Sequence, residues 1–138
     1  MKRIYLLPLS FLASACVFAQ TIPNLPKNWK GVSNHTFLED KSTGTMQRAS
    51  VPATYQVLKQ EGRSVFLHFK SELAQNRVIG TISVDGKQLS IAYSGGGGIY
   101  NLNGKSMSGC GITNKWDKAP KEGMVPYTTW CDEFTAID

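Results

Sequence analysis

Apolar and polar residues alternate with a period of two along much of this 138-residue chain. Val65, Leu67 and Phe69 alternate with their more polar neighbours, and residues 89–93 repeat the pattern. Successive side chains of a β-strand point to opposite faces, so this alternation predicts strands with one face buried.

Turn signals separate about eight such strands. Asp85-Gly86 and Asn103-Gly104 are dipeptides that favour tight type I′ hairpins. No segment predicts a helix longer than the single turn at 71–75. The predicted strands are 29–39, 51–59, 64–70, 78–84, 88–93, 99–102, 105–110 and 127–136.

The predicted fold class is therefore all-β, a small single-domain antiparallel meander over residues 29–138. A meander of this size has to hide its edge strands, and closure into an up-and-down barrel does so fully. The strand of Trp29 would then lie beside the last strand. A two-sheet β-sandwich is the alternative.

Trp29 followed by Gly31 near the start of the first strand resembles calycin barrels, such as lipocalins and avidins. The resemblance implies a calycin-like barrel architecture. It covers only these few residues, and Pro26-Lys27-Asn28 stands where lipocalins have Gly-x-Trp. It therefore does not assign the chain to either family.

The first 19 residues have the pattern of a secretory signal peptide. Two basic residues precede an apolar run at 4–18, which is too short to span a bilayer, and Val17-Phe18-Ala19 offers small residues for cleavage. Cleavage after Ala19 would leave an N-terminal extension, residues 20–28, before the barrel. This predicts a secreted or periplasmic protein.

Cys16 supports an alternative form of export. Leu12-Ala13-Ser14-Ala15 precedes it and partly matches a bacterial lipobox, although Leu12 lies one position too far away. A lipid on Cys16 would tether the same domain to a membrane, and a membrane partner is expected only in that case.

Signal cleavage leaves two of the three cysteines, Cys110 and Cys131. An even pair in an oxidising compartment predicts one disulfide bond, with two buried free thiols as the alternative. Loss of Lys2 and Arg3 leaves 13 basic and 10 acidic residues, a net charge of +3 instead of +5. These charges are interspersed and form no basic stripe, which argues against nucleic acid as a partner.

Catalytic and metal-binding motifs are sparse. Ser33 and His35 share one strand face, but no Gly-x-Ser-x-Gly elbow is present. The pairs Glu39-Asp40 and Asp132-Glu133 each point to opposite faces, so both are expected to be surface charge.

Cofactor-binding motifs are equally sparse. His-x-x-x-His and Cys-x-x-Cys spacings are absent, and residues 95–98, four glycines, lack the Lys-Ser/Thr of a P-loop. The glycine run is expected to be a hairpin loop. The sequence predicts no metal and no cofactor.

Two groups of residues are candidates for binding. Trp29 and Phe37 share strand parity with His35, so all three would face the interior together. The candidate ligand-binding residues are Trp29, His35, Phe37, Tyr55 and Tyr93. The polar segment between the cysteines contains the candidate partner-binding residues Lys115, Trp116 and Lys118, which suit docking on an acidic surface. Trp116 alternatively caps the end of the barrel.

Three functions compete on this basis. The first is non-catalytic binding of a small apolar or glycan-like ligand in the barrel mouth. The second is a protein-binding module, such as an inhibitor, immunity protein or accessory subunit of an enzyme in the cell envelope or outside the cell. An enzyme is the least favoured, because no recognisable catalytic constellation is present.

Overall fold

The computed structural model of the protein describes residues 21–40, 42–114 and 128–137. Eight β-strands occupy most of these ranges, which contain no helix and hence none that could span a membrane. The strands are β1 (Asn28–Asp40), β2 (Thr45–Glu61), β3 (Ser64–Ser71), β4 (Gln75–Ile82), β5 (Gln88–Tyr93), β6 (Gly96–Asn103), β7 (Ser106–Thr113) and β8 (Thr128–Ile137).

The eight strands form one closed antiparallel barrel in sequence order. β1 pairs with β2 on one side and with β8 on the other, so the sheet has no free edge. The predicted up-and-down barrel is confirmed, and the sandwich alternative is wrong. The closing pair places Ser33 directly opposite Asp132 and His35 directly opposite Trp130.

Strand β2 is longer than the alternation predicts, because it begins at Thr45 rather than Val51. Residues 45–50 lie outside the apolar core and are exposed or half-buried. They belong to the strand because they pair with the second half of β1. The sequence does not predict this part of β2, because a strand segment without a buried face shows no alternation of apolar and polar residues.

The glycine run is not a hairpin loop, contrary to expectation. Only Gly95, whose φ is 92°, belongs to the turn, and Gly96 begins β6. A Cβ atom on Gly98 would lie 2.5 Å from Cη2 of Trp130, and one on Gly111 would lie 2.2 Å from Cζ2 of the same ring. These glycines therefore make room for the Trp130 indole inside the barrel.

One end of the barrel is covered by the chain that precedes β1. The Trp29 indole donates from Nε1 to the carbonyl oxygen of Pro26 at 2.9 Å, and Leu25 packs against the core. The side chain of Gln60 accepts a hydrogen bond from the Leu25 amide and donates one to the Pro23 carbonyl. We call this the closed end, and the opposite end, where β1 leads into β2 and β5 into β6, the mouth.

The predicted disulfide joins Cys110 to Cys131, which face each other across the β7–β8 pair. Both residues are exposed on the outer surface of the barrel. The bond is compatible with an oxidising extracellular or periplasmic compartment. The predicted signal peptide, including Cys16, lies outside the described residues.

Reduction of this disulfide is expected to destabilise the barrel without opening its core. The bond spans 21 residues, and a loop of this size corresponds to about 3 kcal/mol of unfolding free energy in the chain-entropy model. Urea unfolding with and without dithiothreitol measures the difference. The double variant Cys110→Ser/Cys131→Ser should match the reduced protein and should not respond to dithiothreitol. Equal unfolding free energies for the oxidised and reduced protein would contradict a stabilising role.

Candidate functional site

A group of polar side chains lies inside the barrel near the mouth. Ser33 and His35 come from β1 and Asp132 comes from β8, all at inward-facing positions. Asp132 is only 3% exposed and Ser33 only 1% exposed. Buried polar groups of this kind need hydrogen-bond partners, because water no longer solvates them.

The partners of Asp132 are two hydroxyl groups. Ser33 Oγ donates to Oδ1 of the carboxylate, and the Tyr100 hydroxyl donates to Oδ2. Each hydroxyl has one proton, which it gives to Asp132, so it can only accept from its other neighbour. Two hydrogen-bond chains therefore end on this carboxylate.

The outer members of these chains are His35 and Tyr55. His35 Nε2 lies 3.0 Å from Ser33 Oγ, and the Tyr55 hydroxyl oxygen lies 3.2 Å from that of Tyr100. Since Ser33 has already donated its proton, His35 must donate from Nε2. This assigns the Nε2–H tautomer to the imidazole.

Burial shifts the pKa values of Asp132 and His35, the two groups that Ser33 connects. It raises the pKa of Asp132 to about 6, although hydrogen bonds from Ser33 and Tyr100 oppose the shift. Burial also lowers the pKa of His35 to about 4, so the imidazole is neutral at pH 7. Burial raises the pKa values of Tyr55 and Tyr100, and both phenols stay protonated.

Aromatic rings surround this polar group. The Trp130 indole stacks on the Tyr100 ring with centroids 5.5 Å apart, and it donates from Nε1 to the Tyr93 hydroxyl at 2.8 Å. The Tyr55 ring meets the Tyr100 ring edge to face at 5.8 Å. The rings and the hydrogen bonds together hold each polar group in one orientation.

A cavity of about 30 Å³ remains among these side chains, room for one or two water-sized groups. Its deep part consists of buried residues and its outer part of half-buried ones, which form a rim at the mouth. The lining residues are Ser33, His35, Tyr55, Phe69, Ala74, Asn76, Val78, Tyr93, Thr113, Trp130 and Asp132.

Three of the five candidate ligand-binding residues line this mouth cavity: His35, Tyr55 and Tyr93. Trp29 faces inward but lies at the closed end, where its indole hydrogen bonds to Pro26. Phe37 also faces inward, and its ring stacks on His35 at 5.9 Å without lining the cavity. A binding role for these five residues stays a prediction, as does one for Lys115, Trp116 and Lys118, which lie outside the described residues.

The central residue of the site, Asp132, is not the one that the sequence predicts. Asp132 was expected on the surface together with Glu133, but only Glu133 is exposed. The parity of the last strand contained the signal, because Trp130, Asp132 and Phe134 share one face. Because side chains alternate between the two faces of a strand, Asp132 points to the same inner face as the aromatic residues on either side of it. Tyr100 and Trp130 were missed with it.

The Ser33, His35 and Asp132 side chains do not have the order of a Ser-His-Asp triad. A triad places the imidazole between the hydroxyl and the carboxylate, so that the hydroxyl proton goes to the imidazole. Here Ser33 lies in the middle and gives its proton to Asp132. Among the described residues, no three histidine, cysteine or acidic side chains form a potential metal site.

Comparisons with known proteins do not assign a function to this site. No protein-family model matches the chain, and no curated protein sequence is similar to it.

Asp132 and His35 are expected to have opposite effects on the pH dependence of stability. Asp132 titrates near 3.8 when unfolded and near 6 when folded, so its contribution is full below pH 3.8 and is lost as the pH rises through 6. His35 titrates near 6.5 when unfolded and near 4 when folded, so its contribution is present above pH 6.5 and is lost as the pH falls through 4.

Single variants should separate the two effects. Relative to the wild type, Asp132→Asn should lose about 2–3 kcal/mol of unfolding free energy as the pH falls from 6.5 to 4. His35→Gln should lose a similar amount as the pH rises over the same interval. Urea unfolding of the three proteins at several pH values tests this, and parallel pH profiles would contradict the assigned pKa values.

Proposed function

We propose that this protein is an exported, non-catalytic binding protein that holds part of a small molecule in the mouth cavity. The observation that carries the proposal is the lining of the cavity. Aromatic rings and a few fixed polar groups converge on one concave space, as in most small-molecule sites. The closed end, by contrast, is covered by the chain itself.

The composition of the cavity favours some ligands over others. A wholly apolar ligand would leave the remaining lone pairs of Asp132 without donors in a buried site, which costs free energy. A ligand with hydrogen-bond donors, such as a glycan-like molecule, would satisfy them. Tyr93 and Trp130 add ring faces on which a sugar or another small group can pack.

The size of the cavity limits how much of a ligand enters it. A volume of about 30 Å³ accepts a small terminal group and not a whole sugar ring. The rest of the ligand would lie along the rim, against Asn76, Tyr93 and Thr113. Binding therefore depends on how well one end of the ligand fits the cavity.

Two features favour binding over catalysis. The Ser33, His35 and Asp132 side chains lack the order of a Ser-His-Asp triad, and Ser33 is only 1% exposed. The network instead holds its groups in fixed orientations, which suits recognition.

One observation favours the second candidate, a protein-binding module. Outward-facing residues that lie side by side on β3, β4, β5, β6 and β7 form an outer apolar row: Phe66, Ile79, Ala92, Gly97 and Ile112. Ile79 is 63% exposed and Ile112 is 67% exposed. Contiguous apolar surface of this kind is typical of protein interfaces.

Nuclear magnetic resonance of the tryptophan indole N–H groups tests the first candidate. Monosaccharides and short alcohols would be added to the purified, ¹⁵N-labelled protein. Binding in the mouth cavity should shift the Trp130 indole signal, because this group lies in the lining, and should leave the Trp29 signal at the closed end unchanged.

Two variants make this test specific. Tyr93→Ala removes a rim ring and the acceptor for the Trp130 indole, and it should weaken binding by about tenfold or more. Ile112→Lys alters only the outer apolar row and should bind as the wild type does. Equal shifts at Trp29 and Trp130, or equal weakening by both variants, would contradict binding at the mouth.

A further inference from the structure

We propose that the mouth cavity binds the ammonium group of a small primary amine, with Asp132 as its counter-ion and aromatic rings around it. This inference rests on the proposed function and names its ligand class. It follows from the charge inside the barrel, the rings beside that charge and the neighbouring titratable groups.

The mouth cavity contains a buried negative charge. Asp132 lies almost fully buried, and the described lining of the cavity contains no lysine or arginine. Its two partners, Ser33 and Tyr100, are neutral hydroxyl groups that stabilise a carboxylate without cancelling its charge. A buried charge is costly unless an opposite charge accompanies it. A ligand cation would supply that charge.

Aromatic side chains share this cavity with the carboxylate. Trp130, Tyr93, Tyr55 and Phe69 line the same cavity. The negative face of an aromatic ring attracts a cation, most strongly where water is excluded. A neutral donor satisfies the lone pairs of Asp132 without this electrostatic attraction to the rings. An ammonium group gains from both.

The charge of the site depends on pH. Among the described residues, the titratable groups that line the cavity with Asp132 or hydrogen bond to it are His35 on β1, Tyr55 on β2, Tyr93 on β5 and Tyr100 on β6. The pKa of His35 is about 4, and burial raises the pKa values of all three tyrosines. Between pH 5 and 7.5, Asp132 is therefore the group in this set that changes charge.

The experiment compares two probes of almost equal shape, 3-methylbutylamine and 3-methylbutan-1-ol. Both would be titrated into the purified protein at pH 7.5 and at pH 5, with the Trp130 indole N–H signal as the readout. At pH 7.5 the amine should bind about tenfold or more tightly than the alcohol. At pH 5 the amine should lose most of this advantage, because Asp132 takes up a proton while the amine stays charged. The affinity for the alcohol should change little.

Variants test whether Asp132 causes the preference. Asp132→Asn should bind both probes with similar affinity at pH 7.5. Ile79→Gln changes only the outer apolar row, away from the cavity lining, so it should retain the preference for the amine. Because the pH comparison uses the wild type, the test stands even if Asp132→Asn fails to fold.

The outcomes separate this inference from the proposed function. If the alcohol or a monosaccharide shifts the Trp130 signal and the amine binds no more tightly than the alcohol, the ammonium assignment is overturned and binding at the mouth stands. If none of these molecules shifts the signal at either pH, the proposed function and this inference both fail. An amine preference that persists in a folded Asp132→Asn protein would also overturn the assignment.

Discussion

The interaction on which the site depends is the pair of hydrogen bonds that Ser33 and Tyr100 donate to the buried Asp132 carboxylate. A lone carboxylate at this depth would be very costly, and the two hydroxyl donors reduce that cost without removing the charge. The same bonds set the direction of the chains that reach His35 and Tyr55. The tautomer of His35 and the charge of the cavity both follow from this arrangement.

Barrel closure brings these groups together. Ser33 and Asp132 lie on the first and last strands, 99 positions apart in the chain, and meet because β1 pairs with β8. Gly98 and Gly111 leave the space that Trp130 occupies beside Tyr100. The chain before β1 covers the opposite end through Leu25 and the Trp29–Pro26 hydrogen bond. The buried polar side chains of the site therefore lie near the mouth of the barrel.

The sequence predicts the fold better than the site. The alternation that buries Val65, Leu67 and Phe69 predicts strands, and the need to hide edges predicts closure. The same parity places His35 inside. It does not tell how far along the barrel each residue lies, so Trp29 and Tyr93 looked equivalent although they occupy opposite ends. Asp132 was expected on the surface because charged residues are normally exposed. The start of β6 was expected to be a loop because Trp130, for which its glycines make room, is distant from them in the sequence.

The most direct measurement is a ¹³C nuclear magnetic resonance titration of the Asp132 carboxyl group in the ligand-free protein. Among the described residues, no lysine or arginine lines the cavity, and a buried carboxylate held by two neutral hydroxyl donors should titrate near pH 6. Asp85, which is exposed in a turn, offers an internal comparison, because hydrogen bonds from Ser83 and Lys87 lower its pKa. A pKa for Asp132 at or below 4 would mean that the carboxylate is solvated or already paired with a positive charge, and would contradict this account.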